Sequence, residues 1–124
     1  MNALTTAGWT VRVTGLALIA LGLLMWADVA PGLRSLHMLI GIVLVAALLT
    51  AAGLALRAGV KPVLPVIAIA WGLLTVALGL VQAQLVVGDG HVVIEVAHLV
   101  VGIVAIGLGE ALVAAAGRRA SVAA

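Results

Sequence analysis

The hydropathy of the chain alternates between four long apolar segments and short polar breaks. The apolar segments cover about residues 10–30, 33–56, 62–87 and 92–116. Each is long enough to supply the roughly 20 apolar residues that a helix needs to cross a bilayer. Because a backbone in lipid must satisfy its own hydrogen bonds, the segments are predicted to be helices, and the fold is predicted to be an all-α four-helix transmembrane bundle.

Turn-forming residues mark the three breaks between these segments. Pro31-Gly32 separates the first pair, residues 57–62 separate the second pair, and Gly88-Asp89-Gly90 separates the third. Pro62 is predicted to lie in the first turn of the third helix, where its missing N–H costs no hydrogen bond.

The two halves of the chain resemble each other. Residues 37–43, HMLIGIV, correspond to residues 98–104, HLVVGIV, and residues 15–23, GLALIALGL, correspond to residues 72–80, GLLTVALGL. The pattern predicts one domain, residues 1–124, made of two tandem helical hairpins at about 10–57 and 62–117. Tandem repeats of this kind are related by an axis along the membrane normal.

Composition agrees with a membrane protein and excludes several classes of function. Of the 124 residues, 66% are hydrophobic and 8% are charged, with a net charge of +2. No clustered basic face is present, so nucleic-acid binding is not expected. The chain has no cysteine, which excludes disulfides, thiolate metal sites and covalent haem attachment.

The basic residues predict the orientation in the membrane. One side of the predicted bundle carries five of them and the other carries only Arg34, so both termini are predicted to be cytoplasmic in a multi-pass protein of the cell (inner) membrane. Glu110, in the cytoplasmic half of the fourth helix, is predicted to pair with Arg12 or Arg57. The five basic residues are Arg12, Arg57, Lys61, Arg118 and Arg119.

Two histidines are the strongest candidates for chemistry. His37 and His98 lie at equivalent places in the second and fourth segments, so they are expected at one depth on diagonal helices of the bundle. Ionisable residues inside a membrane are usually functional. Zinc normally takes at least three protein ligands, whereas haem takes only two axial ones. One haem b per chain is therefore predicted, with His37 and His98 as metal ligands and the carbonyls of Leu33 and Ile94 orienting the ring N–H groups.

Glycines near the histidines are candidate cofactor-binding positions. Gly41 and Gly102 follow the two histidines by four residues, on the same helix face, and they are expected to leave space for a porphyrin edge. Four further glycines form pairs spaced by seven; for these pairs alone, close helix packing without a cofactor is the favoured interpretation. The four are Gly15, Gly22, Gly72 and Gly79.

Polar residues near the predicted outer end can meet the carboxylates of a haem. Arg34 is the best candidate to bind them, although an interfacial arginine whose charged end extends to water is an equal alternative. Gln82 and Gln84 lie at about the same depth. One of the two glutamines is a further candidate donor, and interface polarity is the alternative.

The arrangement resembles that of a known family. Four helices with histidines on the second and fourth, 61 residues apart, and the string Glu95-Val96-Ala97-His98 resemble one half of heme A synthase. They are also similar to small four-helix bis-histidine b-type membrane cytochromes. The resemblance implies haem binding at His37 and His98. It does not extend to oxidation of a haem methyl group, because heme A synthase has eight helices and its glutamate belongs to an early hairpin, where this chain has Arg34.

These observations predict a b-type membrane cytochrome that transfers electrons near the outer face. An electron-transfer protein is favoured over a stand-alone enzyme, because two imidazoles fill both axial positions of the iron. The expected partners are the lipid bilayer and a quinone, a redox protein or a second protomer. Two alternatives remain open: a half-sized oxidase like heme A synthase, and a cofactor-free membrane subunit or transporter.

Overall fold

The computed structural model describes residues 2–123, which form four α-helices packed side by side. The helices are α1 (Ala3–Trp26), α2 (Arg34–Arg57), α3 (Val63–Val81) and α4 (His91–Ala123). Short 3-10 turns, Pro31–Leu33 and Gln82–Gln84, adjoin the two hairpin loops. Each of the four helical segments is long and apolar enough to cross a membrane. The prediction of an all-α four-helix transmembrane bundle is therefore confirmed, and the chain is a multi-pass membrane protein.

The first helix begins and ends earlier than the hydropathy predicts. It begins at Ala3 because the Asn2 side chain caps it, its Oδ1 accepting the backbone N–H of Thr5 at 2.9 Å. An asparagine cap satisfies one of the N–H groups that a helix start leaves without a partner. The helix ends at Trp26, before Asp28, whose φ of 57° lies in the left-handed region that a right-handed helix cannot contain.

The boundaries of α3 and α4 also differ from the predicted ones. Pro62 lies immediately before α3 rather than inside its first turn. The helix ends at Val81, and the following loop contains Val86 and Gly88 with φ of 48° and 96°. The last helix continues to Ala123, well beyond the apolar segment, because residues after 116 include good helix formers and no proline.

Two ends of the bundle can be distinguished. The terminal end carries the start of α1, the end of α4 and the α2–α3 connection, and the loop end carries the hairpin loops 27–33 and 82–90. Each helix contacts its sequence neighbours, and α1 contacts α4. Across the diagonals, α2 contacts α4, whereas α1 and α3 have no contact within residues 2–123. The cross-section is therefore a rhombus with α2 and α4 on its short diagonal.

Fully buried side chains lie only in the terminal half of the described structure. The level at which Gly15 meets Leu44 and Ile106 is close to the boundary of this packed region. Most of the buried residues are alanine or valine, whose small side chains let membrane helices approach closely. The loop half has no such core. The buried apolar residues are Ala7, Val11, Leu44, Val45, Ala47, Leu48, Ala51, Ala52, Ala55, Val60, Ala68, Ala105, Leu112 and Ala116.

Glycines join α1 to α4 in this packed half. At three points a branched side chain of one helix occupies the space that a Cβ on the other helix would need, so larger residues at these glycines would clash. Because lipid offers no hydrophobic driving force between helices, such close contacts are a main source of stability. The contacts are Val113 over Gly8, Val11 over Gly109 and Ile106 over Gly15.

An ion pair connects the same two helices. Nε and Nη2 of Arg12 donate to the two carboxylate oxygens of Glu110 at 2.8 and 2.6 Å. The guanidinium carbon also lies 4.4 Å from the ring centre of Trp9, within the range of a cation–π interaction. Of the two partners expected for Glu110, the structure selects Arg12.

The packed half predicts where a cavity is harmful. Leu48 is fully buried, whereas Leu73 of α3 is 57% exposed. Leu48→Ala is expected to lower the free energy of unfolding by roughly 1–3 kcal/mol, because it removes packing contacts that lipid does not replace. Leu73→Ala, the same truncation at an exposed site, is expected to change it little. Thermal unfolding in detergent, followed by circular dichroism, measures both; equal effects would contradict the assignment of the core.

Candidate functional site

The loop half of the bundle contains a cleft of about 260 Å³ between the four helices. The cleft lies directly beyond the packed terminal half. The described residues of the loop half, which contains the cleft, include no fully buried side chain. Its walls are largely aliphatic, with a few polar groups, which is the usual composition of a site for a small molecule or cofactor. The lining includes Gly15, Gly22, Met25, Arg34, His37, Met38, Gly41, Thr75, Gly79, Gln82, Glu95, His98 and Gly102.

The two histidines face each other across this cleft. The ring centres of His37 on α2 and His98 on α4 lie 6.3 Å apart, and the ring planes are inclined at 51°. A metal bound by two imidazole nitrogens at about 2.0–2.1 Å, each about 1.1 Å from its ring centre, separates the centres by about 6.3 Å. The spacing therefore matches two imidazoles that share one metal from opposite sides. The short α2–α4 diagonal produces this spacing.

Each imidazole lies against a glycine of the preceding helix. A Cβ on Gly22 of α1 would be 3.5 Å from Cε1 of His37, and a Cβ on Gly79 of α3 would be 3.3 Å from Cε1 of His98. The second distance is already a tight contact. A bulky residue at either glycine would displace the ring, so these two glycines leave the space that the histidine rings occupy.

One nitrogen of each imidazole is buried without a hydrogen-bond partner in the described structure. The Nδ1 atoms of His37 and His98 are buried and have no hydrogen-bond partner among the described residues. The predicted bonds to the carbonyls of Leu33 and Ile94 are therefore not formed. In a helix, the carbonyl four residues earlier already accepts the backbone N–H of the histidine itself. Buried polar atoms without partners are rare, and they often mark functional sites.

The other predicted glycines fall into two groups. A Cβ on Gly41 or Gly102 would have no neighbour within 4 Å, so both positions open onto the cleft. Gly15 also borders the cleft, but Ile106 fills the space beside it. Gly72 is not part of the cleft. A Cβ there would be 3.4 Å from Val45, so Gly72 lies at the α2–α3 contact.

Polar side chains border the cleft toward the loop end. Arg34, Gln82 and Glu95 belong to its lining, whereas Gln84 does not. Within residues 2–123 the two charged groups form no ion pair. Arg34 thus stays available to bind a carboxylate of a ligand in the cleft. His91 is engaged elsewhere, because its Nδ1 lies 3.1 Å from the carbonyl oxygen of Leu85 in the adjacent loop.

Within residues 2–123 the structure contains no metal site built from protein ligands alone. No three histidine, aspartate or glutamate side chains come together in the part of the chain that the structure describes. Structural and catalytic zinc sites use at least three protein ligands. Two imidazoles suit a metal whose remaining ligands come from a cofactor.

Sequence reasoning did not find the role of Trp71. Its indole N–H donates to the carbonyl oxygen of Val101 at 2.9 Å. The bond joins α3 to α4 one turn from His98 and next to Gly102. The signal available in the sequence was a tryptophan in the middle of a span, away from the interfaces where this residue usually lies. Met25 and Met38 of the cleft were also not foreseen.

The Trp71 bond predicts a measurable loss of stability. Trp71→Phe removes the donor and keeps an aromatic ring, so we expect a decrease of about 1 kcal/mol in the free energy of unfolding. Trp26→Phe is the matched control, because Trp26 is 48% exposed and no hydrogen bond of its indole is present in the described structure. Thermal unfolding compares the two, and an equal or smaller loss for Trp71→Phe would contradict a stabilising role.

Comparison with known proteins does not identify a family. No protein-family model, curated protein or solved structure matches this chain. The resemblance to one half of heme A synthase therefore stays a prediction.

Proposed function

We propose that this protein binds one haem b through His37 and His98 and transfers single electrons in the membrane. The observation that carries the proposal is the pair of imidazoles whose ring centres lie 6.3 Å apart across a cleft.

The surroundings of the histidines support a flat, largely apolar ligand. Gly41 and Gly102 leave open space beside the two rings. The cleft is lined by residues of both α1 and α3, so its open space reaches both helices of the long diagonal. Leu18, Val76 and Leu99 of the lining provide an apolar wall that excludes water.

Each residue of the site has a separate task in this proposal. His37 and His98 would each bind the iron through an imidazole nitrogen, and Gly22 and Gly79 leave space for their rings. Arg34 and Gln82 offer N–H donors to the carboxylates of the haem. Haem iron with two imidazole ligands supplies reversible one-electron transfer and has no free position for oxygen.

We further propose that the terminal end faces the cytoplasm. Five basic residues against one favour this orientation, which places the haem near the outer face of the inner membrane. An electron has to reach or leave such a site through a partner. A quinone or a redox protein at the outer face fits this position.

Haem binding is tested by the visible spectrum of the purified protein. The wild-type chain, produced with sufficient haem, is expected to show low-spin bis-imidazole bands with one haem per chain. His37→Ala and His98→Ala are each expected to lose these bands, because each removes an axial ligand. His91→Ala is the matched control: it removes the third histidine, which bonds to the loop, and the bands are expected to stay.

The opposite results would contradict the proposal in different ways. A folded wild-type protein that stays colourless with excess haem would exclude haem binding and favour a cofactor-free subunit or transporter. Unchanged bands in both His37→Ala and His98→Ala would exclude these histidines as the ligands.

The open glycines provide a second test, which leaves the histidines intact. Gly41→Leu is expected to fill the cleft and to reduce the haem content of the purified protein at least about tenfold, because no protein atom occupies that space. Gly53→Leu is the matched control on the same helix: a Cβ there also has no neighbour within 4 Å, and Gly53 does not line the cleft. Haem is quantified against protein, and circular dichroism verifies folding. Full haem content in Gly41→Leu would contradict the proposed position of the ligand.

A further inference from the structure

The face on which α1 and α4 lie side by side presents charged groups at the side of a membrane bundle. The Arg12–Glu110 pair is the only ion pair within residues 2–123, and its side chains are 42% and 41% exposed. Both residues lie inside helices long enough to span a membrane. Charged groups exposed to lipid are costly and usually have a partner.

The ion pair does not use all of its bonding capacity. A guanidinium has five N–H donors, and Glu110 accepts from two of them. The carboxylate oxygens can also accept further bonds. A second structure with donors and acceptors at the same depth can therefore bind this pair and remove it from lipid.

A strip of large side chains on α1 and a strip of small residues on α4 flank the ion pair. On α1, large side chains project outward, with Trp9 49%, Val13 59% and Leu16 62% exposed. On α4, the outward strip is small: it consists of Gly107, Ala111 and Ala114, which share one face because they are spaced by four and three residues. A Cβ on Gly107 would have no neighbour within 4 Å, so the space beside Gly107 is open. This strip of small residues is named the groove.

The two strips lie at the same depth. The two helices are antiparallel, and Val11 contacts Gly109 while Arg12 binds Glu110. By this register, Val13 lies close to the level of Gly107. Small residues on a membrane helix commonly accept the large side chains of a neighbouring helix.

We propose that this face, defined by Arg12, Trp9, Val13, Gly107 and Glu110, binds a second copy of the chain in a two-fold dimer. Two copies with the same orientation in a membrane are related by an axis along the membrane normal. Such an axis keeps equivalent residues at equal depth and makes the contact reciprocal. Arg12 of each copy then meets Glu110 of the other, and the large strip of each enters the groove of the other.

A second copy fits this face better than a different protein does. The face carries one positive and one negative group, and one strip of large and one strip of small side chains. A two-fold axis therefore brings each of these features opposite its complement. The proposal does not depend on haem binding. It is tested on protein in detergent and in vesicles whether or not a haem is present.

Filling the groove is the first arm of the test. The wild-type chain is expected to be a dimer by mass in detergent and by single-molecule photobleaching in vesicles. Gly107→Leu is expected to raise the dimer dissociation constant at least about tenfold, because leucine occupies the groove without contacting its own chain. Gly53→Leu, an equivalent change on α2 with open space around it, is expected to leave the dimer intact.

Disulfide cross-linking is the second arm, and the absence of native cysteine makes it specific. A full-length chain with Val13→Cys is co-expressed with a full-length chain with Gly107→Cys, and a size tag on one of them distinguishes the two on a gel. A mixed disulfide dimer is expected on oxidation in membranes. The matched control pairs Val13→Cys with Ala70→Cys. Ala70 is exposed on α3, which does not contact α1 in the described structure.

Three results would each overturn the proposal. A wild-type chain that is monomeric in vesicles would overturn the proposal. A dimer that survives Gly107→Leu, or a mixed disulfide that forms equally with Ala70→Cys, would also overturn it, because the contact would then use another face. Circular dichroism of Gly107→Leu confirms that the variant is folded when its mass is measured.

Discussion

Close packing of small residues in the terminal half is the constraint on which the rest of the bundle depends. In lipid, apolar surface gains little by moving from lipid to protein, so helices stay together through close van der Waals contact. Glycine and alanine at positions such as Gly8, Gly109 and Ala51 allow this contact. The packed half holds the helices at a defined spacing, and beyond it the loop half stays open. A cleft without a core of its own can exist there because the other half of the molecule provides the stability.

The histidines lie in the open half of the bundle, beside the cleft that this arrangement leaves. The short α2–α4 diagonal brings their ring centres to 6.3 Å, and their buried Nδ1 atoms have no partner in the described structure. Burying two imidazoles in an apolar cleft, next to the open space beside Gly41 and Gly102, costs free energy unless another interaction compensates for it. A metal held between the rings would bind one nitrogen of each imidazole and so supply part of that interaction.

Polar groups inside the bundle are few, and they fall on two different surfaces. Arg34, Gln82 and Glu95 face the cleft at the loop end, whereas Arg12 and Glu110 bind each other at the side of the terminal half. The first set has the chemistry to orient a ligand. The second set has the chemistry to pair with a copy of itself. The cleft lies between the helices, whereas the ion pair lies on the side of the bundle, so ligand binding and dimer formation can be altered separately.

The sequence by itself determined the four spans, the all-α bundle and the set of residues that deserved attention. The hydropathy alone predicted four membrane helices, and the spacing of His37 and His98 placed them on the second and fourth of these. The tertiary structure decided which residues meet. It opened Gly41 to the cleft, assigned Gly72 to helix packing, selected Arg12 over Arg57 for Glu110, and joined Trp71 to Val101. The physical reason is that these helices are apolar on nearly all sides, so no polar face marks their rotation about their own axes. That rotation follows from how small and large side chains of different helices fit together, and only the assembled bundle contains this information.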